Sequence, residues 1–176
     1  IVEEVADYPV HLFFTREGYF KKITPQSLRM SGEHKLKEGD EIVKALEATN
    51  ATQLLFFTDR CQVYKADAAD FADTKSSVMG DYIPAKLGME EGENALYMAV
   101  TRDYSGYMLF FFENGKVAKV ELAGYATKTK RRKLPAAYGD KSPLVALYQI
   151  DADGEYLLRA TNNRTLIAHT GAINPK

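Results

Sequence analysis

The sequence predicts an all-β protein made of repeated hairpins, and three observations lead to this prediction. Four segments share one pattern, in which an apolar strand and a short polar turn precede a strand of alternating apolar and basic residues; they span residues 11–23, 54–65, 108–120 and 156–168. Their aligned turn positions are 43, 54 and 49 residues apart. The 3.6-residue spacing of amphipathic helices is scarce. Repeats of this length are typical of propeller-like blades.

The residues of each repeat favour a β-hairpin. Phe, Leu, Val and Tyr suit a pleated, half-buried surface. The pair Asn114-Gly115 predicts a two-residue turn in which both residues have positive φ, and Gly18 is expected to serve the same purpose. Cys61 and Arg164 stand where glycine is expected, so their turns are predicted to differ or to carry strain.

Shorter elements fill the segments between the hairpins. Apolar runs predict further strands over residues 41–46, 95–101 and 144–150, each after a polar loop with turn residues. The Ala- and Asp-rich stretch 65–75 is expected to form a turn of helix. Since no linker divides the chain, we predict a single domain over residues 1–176.

The composition excludes several classes of protein. A single cysteine, Cys61, excludes an internal disulfide framework and a multi-cysteine zinc site, and it fits a reducing, cytoplasmic setting. The sequence contains no apolar run of about 18 residues, so we expect neither a transmembrane helix nor a membrane partner. The N-terminus is acidic and lacks both a signal-peptide pattern and an initiator Met, so we expect a piece of a longer protein.

Charge is unevenly distributed along the chain, although the formal net charge is only −1. Residues 116–133 hold seven basic residues and one acid, which gives +6. Residues 67–93 hold seven acids and two lysines, which gives −5. Such segregation can build a positive face on a neutral molecule.

The first hairpin carries the clearest family motif, Thr15-Arg16-Glu17-Gly18-Tyr19-Phe20-Lys21-Lys22. With the three later hairpins in series, it resembles the repeat of the C-terminal domain of bacterial type IIA topoisomerase A subunits, those of gyrase and topoisomerase IV. The resemblance implies a β-pinwheel, a propeller-like disc of four-stranded blades that exchange strands with their neighbours. Family domains have about five or six blades. We therefore expect about three complete blades and part of a fourth, a partial or open pinwheel.

The resemblance also implies a function. The family domain binds and bends double-stranded DNA, while a tyrosine in another domain of the A subunit cuts DNA and a B subunit hydrolyses ATP. This chain is accordingly expected to be non-catalytic, to need no cofactor, and to act in the bacterial cytoplasm with the nucleoid. The glycine- and arginine-rich box of gyrase is replaced by residues 26–37, which keep Arg29 and Lys35. The missing box favours a topoisomerase IV-like or degenerate role over gyrase-like wrapping of DNA, while the sequence leaves the choice between the two types open.

The predicted DNA contacts are basic residues in three settings. The first is the segment 127–133, expected to be a loop on the rim of the disc whose cations would neutralise phosphates: Lys128, Lys130, Arg131, Arg132 and Lys133. The second is the hairpin tips and the loop after the first hairpin, with Arg16, Arg60, Arg29 and Lys35. The third is the second strands of the hairpins, with Lys21, Lys22, Lys65, Lys116 and Lys119. For the strand lysines, solvated residues that discourage edge aggregation are an equal alternative.

Two other functions compete with DNA binding. The acidic stretch 67–93 and the net charge of −1 favour a protein-interaction propeller without DNA binding. A propeller-like enzyme is the third candidate, but no nucleophile, phosphate loop or carboxylate pair stands out. The aromatic residues are expected in the core, the histidines show no metal spacing, and residues 151–154 are expected to form a turn and not a calcium loop.

Overall fold

The computed structural model describes residues 4–128, 131–159 and 164–175. It is nearly all β, and its strands are β1 (Pro9–Thr15), β2 (Tyr19–Ile23), β3 (Ile42–Thr49), β4 (Gln53–Thr58), β5 (Val63–Asp67), β6 (Asp73–Thr74), β7 (Asp81–Tyr82), β8 (Ala95–Thr101), β9 (Tyr107–Phe112), β10 (Val117–Glu121), β11 (Lys133–Leu134), β12 (Leu144–Ile150), β13 (Glu155–Arg159) and β14 (Thr165–His169). The helices are α1 (Pro25–Met30) and α2 (Ile83–Lys86), with 3₁₀ turns at Ala68–Asp70, Leu122–Tyr125 and Thr170–Ala172.

All four predicted hairpins are present as antiparallel pairs: β1 with β2, β4 with β5, β9 with β10, and β13 with β14. In the first three, the next long strand after the hairpin pairs with the first strand of that hairpin, so β3 joins β1, β8 joins β4 and β12 joins β9. The predicted helical turn within 65–75 is the 3₁₀ turn Ala68–Asp70.

Sheets are extended by strands from the following repeat. After the second hairpin, the chain returns to the first sheet, where β6 pairs parallel and β7 antiparallel with β2. After the third hairpin, β11 pairs with β5 of the second sheet. After the fourth, Pro175 forms a parallel bridge to Lys119 of β10. This exchange between successive repeats confirms the predicted pinwheel fold of propeller-like blades.

The hairpin turns correct one prediction. Gly115 has a φ of +79°, but Asn114 is not among the described residues with positive φ. The N–H of Gly115 donates to the Phe112 carbonyl and the N–H of Phe112 donates to the Lys116 carbonyl, both at 3.0 Å. The loop therefore has three residues and needs one left-handed residue, not two. Cys61 takes that position in the second hairpin at φ +57°, which confirms the predicted strained turn.

The chain divides into two compact units. The first comprises residues 1–102 and 131–137, and the second comprises 103–130 and 138–176. The core of the first unit is aromatic, with the Phe56 ring 5.7 Å from that of Phe14 and 6.0 Å from that of Phe20. In the second unit Phe110 stacks on Tyr138 at 5.0 Å. These rings are buried, as expected for core packing.

Candidate nucleic-acid interface

The basic residues of segment 127–133 are exposed wherever the structure describes them. Lys128 and Arg131 are exposed, and the predicted contact Lys130 lies outside the described residues. The Lys65 N–H donates to the Arg132 carbonyl at 2.6 Å, and Lys133 pairs with Tyr64 of β5. The end of the segment is therefore a strand of the second sheet, and not a loop as predicted.

Acidic residues of the stretch 67–93 neutralise several predicted contacts. Arg132 lies 3.3 Å from an Asp70 carboxylate oxygen. One oxygen of Glu90 lies 2.8 Å from Lys133 Nζ, and the other lies 3.0 Å from Arg60 Nη1. The pKa of the Glu90 carboxyl lies below its usual value; the hydrogen bond from Lys133 is the largest cause, followed by the hydrogen bond from Arg60. The two oppositely charged stretches therefore meet within the first unit.

The remaining exposed cations differ in their neighbours. Arg16 at the first hairpin tip lies 3.1 Å from Glu41. Five predicted contacts, within the described parts of the chain, are exposed and have no carboxylate at ion-pairing distance: Arg29, Lys35, Lys116, Lys128 and Arg131. These five retain an unshared positive charge for an anionic partner.

Three strand lysines are buried, which contradicts the expectation that they face solvent: Lys21, Lys22 and Lys119. Lys22 Nζ donates to Asn50 Oδ1 at 2.6 Å and to the Ala68 carbonyl at 3.0 Å. Lys119 Nζ lies 2.7 Å from an Asp153 oxygen. A buried ammonium group needs such acceptors because it has lost its water. These ammonium groups bond to acceptors within the chain, and in this conformation they are not available to phosphate.

Lys22 and Lys119 occupy equivalent positions, each four residues after the turn glycine of its hairpin. Each ammonium group reaches the next repeat, where it bonds to a loop side chain and to a carbonyl just beyond the second hairpin strand. Lys65 has the same position in the second hairpin; it is half-buried, and burial lowers its pKa. In the first and third hairpins, the lysine at this position therefore links successive repeats.

Lys21 holds the loop that follows the first hairpin. Its Nζ donates to the carbonyls of Lys35, at 2.9 Å, and Ser76, at 3.1 Å, and lies 3.4 Å from His34 Nδ1. The Lys35 N–H donates to the same Ser76 carbonyl at 2.8 Å. Burial lowers the pKa of Lys21, and burial together with the Lys21 charge lowers the pKa of His34. The backbone of Lys35 is thus fixed on both sides while its side chain stays exposed.

The described residues contain no cluster suited to a metal site and no helix suited to a membrane span. No cluster of three or more His, Cys, Asp or Glu there is arranged to hold a metal ion. Residues 151–154 form a bend between β12 and β13, in which Asp153 accepts from Lys119. None of the helices in this part of the chain is long and apolar enough to cross a membrane.

Sequence reasoning missed the residues that neutralise or bury the cations, namely Asn50, Asp70 and Glu90. Each acts on a lysine or arginine that is 28 to 62 residues away in the sequence. The signal that could have found the buried lysines is the lysine that recurs four residues after the turn position in the first three hairpins. Repetition alone does not distinguish a shared surface from a shared internal contact.

Comparison with known proteins gives a consistent set of relatives, although no family model matches the chain. It is 25% identical over 136 residues to the A subunit of DNA topoisomerase 4 from Bacillus subtilis, covering 75% of this chain and 17% of the relative. It is 27% identical over 134 residues to the A subunit of DNA gyrase from Streptomyces coelicolor, covering 71% and 16%. The topoisomerase 4 A subunit of Staphylococcus aureus matches 97% of this chain at 24% identity, and 22% of its own length. The chain thus spans about a fifth of these relatives.

Solved structures show the same fold. The C-terminal domain of DNA topoisomerase IV superposes with a TM-score of 0.82 at 23% identity, covering 98% of this chain and 55% of that one. The C-terminal domain of E. coli ParC gives 0.67 at 15% identity, covering 91% and 64%. That of DNA gyrase A gives 0.58 at 16% identity, covering 96% and 57%.

Proposed function

We propose, from the confirmed resemblance to the C-terminal domains of bacterial type IIA topoisomerase A subunits, that this chain is a non-catalytic module that binds and bends duplex DNA. The parent protein would be an ATP-dependent topoisomerase of the bacterial cytoplasm, in which the module works with the rest of the A subunit. A separate B subunit would complete the enzyme. In that setting the module holds a DNA segment for strand passage and needs no cofactor of its own.

The observation that carries the proposal is the set of five exposed cations without a carboxylate partner in the described residues: Arg29, Lys35, Lys116, Lys128 and Arg131. Their side chains can approach phosphates without first breaking an ion pair. No set of side chains suited to base edges stands out, so the contacts are expected to be to the DNA backbone and to depend on DNA shape.

Duplex binding across a salt series tests the proposal. Each phosphate contact contributes about −0.9 to the slope of log affinity against log salt, so five contacts predict a slope of about −4.5. Replacing Lys128 and Arg131 with Gln should make the slope shallower by about 1.8. The matched control replaces Lys75 and Lys86, two exposed lysines of the acidic stretch, with Gln and should leave the slope near the wild-type value. Absence of duplex binding at the lowest salt concentration refutes the proposal.

A second candidate, docking of another protein, is favoured by exposed aliphatic residues at equivalent positions. Register shifts leave Val43, Leu96 and Val145 opposite no residue of the paired strand in β3, β8 and β12. Their side chains are 48%, 41% and 68% exposed. Changing these three residues to Ser should leave duplex binding intact if DNA is the partner. If the second candidate holds, the wild-type chain should capture a protein partner and the chain with these three changes should not.

A further inference from the structure

We propose that Glu90 competes with DNA phosphate for Arg60 and Lys133, and thereby sets the affinity of the chain for duplex DNA. The inference rests on the proposed function, which it deepens by naming an acidic residue that regulates two of the predicted DNA contacts.

The geometry at Glu90 is that of an anion held between two cations. Its two carboxylate oxygens lie 2.8 Å from Lys133 Nζ and 3.0 Å from Arg60 Nη1. Arg60 belongs to the turn between β4 and β5, whereas Lys133 lies on β11, which the third repeat adds to the same sheet. A phosphodiester also presents two oxygens that share one negative charge. The same pair of cations can therefore accept either anion.

Solvent reaches all three side chains. They are 44%, 48% and 43% exposed for Arg60, Glu90 and Lys133. Ion pairs with this exposure are weak because water screens the charges. A phosphate can therefore displace the carboxylate, and Glu90 is expected to reduce the affinity without abolishing binding.

Other contacts hold the two cations in place. Arg60 Nη2 donates to the Glu91 carbonyl at 2.6 Å. Lys133 Nζ lies 5.7 Å from the centre of the Tyr64 ring, and its backbone pairs with β5. The Glu90 N–H bonds to the buried carboxylate of Glu93, which also accepts from Thr58 and Tyr64. Removing the Glu90 charge should therefore release two cations that are already positioned.

The test compares Glu90→Gln with Glu91→Gln in the 176-residue chain. Both changes remove one negative charge from adjacent exposed residues, but no ion pair to the Glu91 carboxylate is found in the described residues. Each protein is titrated with a duplex across about 50 to 200 mM salt. One gained phosphate contact predicts about 8-fold tighter binding at about 0.1 M salt and a slope steeper by about 0.9; two contacts double the change in slope. Glu91→Gln should change the affinity less than about 2-fold, because it releases no paired cation and an exposed charge is screened by salt.

A double substitution makes the competition specific. Lys133→Gln alone should alter the affinity little, because Glu90 already neutralises the lysine. In the Glu90→Gln background the same change should reverse about 8-fold of the gain. Melting curves followed by circular dichroism verify that each variant is folded. If Glu90→Gln is unfolded, Asp70→Asn, which releases Arg132, tests the same competition with the same expected gain.

The outcomes separate this inference from the proposed function. Equal affinities for Glu90→Gln and Glu91→Gln, with a wild-type chain that binds duplex, overturn the inference alone. No binding by the wild type or any variant overturns both. Tighter, more salt-dependent binding by Glu90→Gln than by the wild type and Glu91→Gln supports the inference.

Discussion

Replacing Lys22 with Met tests whether the repeated strand lysine is an internal anchor or a DNA contact. The Lys22 side chain is buried, and its ammonium group donates to Asn50 Oδ1 at 2.6 Å and to the Ala68 carbonyl at 3.0 Å. It also lies 3.5 Å from Asp73. Methionine preserves most of the apolar stem but offers no donor. The substitution therefore removes the bonds and leaves much of the packing intact.

The size of the effect follows from the acceptor that loses its donor. Asn50 is 6% exposed, so water cannot easily replace the ammonium group at Asn50 Oδ1. The Ala68 carbonyl keeps the Phe71 N–H as a donor at 3.1 Å. A buried polar group without its partner costs about 1 to 3 kcal/mol. Asp73 is 39% exposed, so its ion pair adds little. We expect Lys22→Met to lower the free energy of unfolding by about 1 to 3 kcal/mol.

Urea unfolding followed by far-UV circular dichroism measures this loss, and Lys116→Met is the matched control. Lys116 lies in the third hairpin with an exposed side chain, so its substitution should change stability by less than about 0.5 kcal/mol. Equal stabilities for the two variants would refute the internal-anchor interpretation. Weaker duplex binding by Lys22→Met at unchanged stability would return the residue to the DNA surface.

Three further predictions follow from local geometry. Gly80→Ala should destabilise the protein by more than about 2 kcal/mol or prevent folding, because Gly80 has a φ of +89° and a Cβ would collide with the Phe20 carbonyl oxygen; a thermal melt measures this. Cys61→Gly should stabilise it by roughly 0.5 kcal/mol in urea, since the left-handed conformation costs a non-glycine residue more than glycine loses in chain entropy. Burial and the Lys21 charge lower the pKa of His34, so the unfolded chain binds more protons than the folded chain below about pH 6.5. The free energy of unfolding should therefore fall as the pH drops below about 6.5. His34→Gln should flatten that pH dependence, and an unchanged profile would contradict it.

The hairpins and the strands that pair with them were predictable because alternating apolar residues mark a strand with one buried face. The strands β8 and β12 have the predicted bounds, and β3 begins one residue later than predicted and extends three residues further. The two-residue strands β6, β7 and β11 were not predicted. Such short segments have no periodicity of their own, and they are extended because a strand of the preceding repeat offers free backbone groups.

The candidate site was only partly predictable. Sequence identified the exposed cations at Lys116, Lys128 and Arg131, since charge runs are usually solvated. It could not identify that Lys22 and Lys119 are buried, because their partners come from the next repeat. The charge of a segment is local information, whereas its neutralisation is decided by tertiary contacts.

Protection of lysines from acetylation by bound duplex, measured by mass spectrometry, tests the central claim most directly. In the free protein, the exposed residues Lys35, Lys116 and Lys128 should react, whereas Lys22 and Lys119 should not. Saturating duplex should protect the three reactive lysines and leave Lys75, in the acidic stretch, fully labelled. An unchanged labelling pattern, or protection at Lys75 alone, would contradict the proposed DNA contacts.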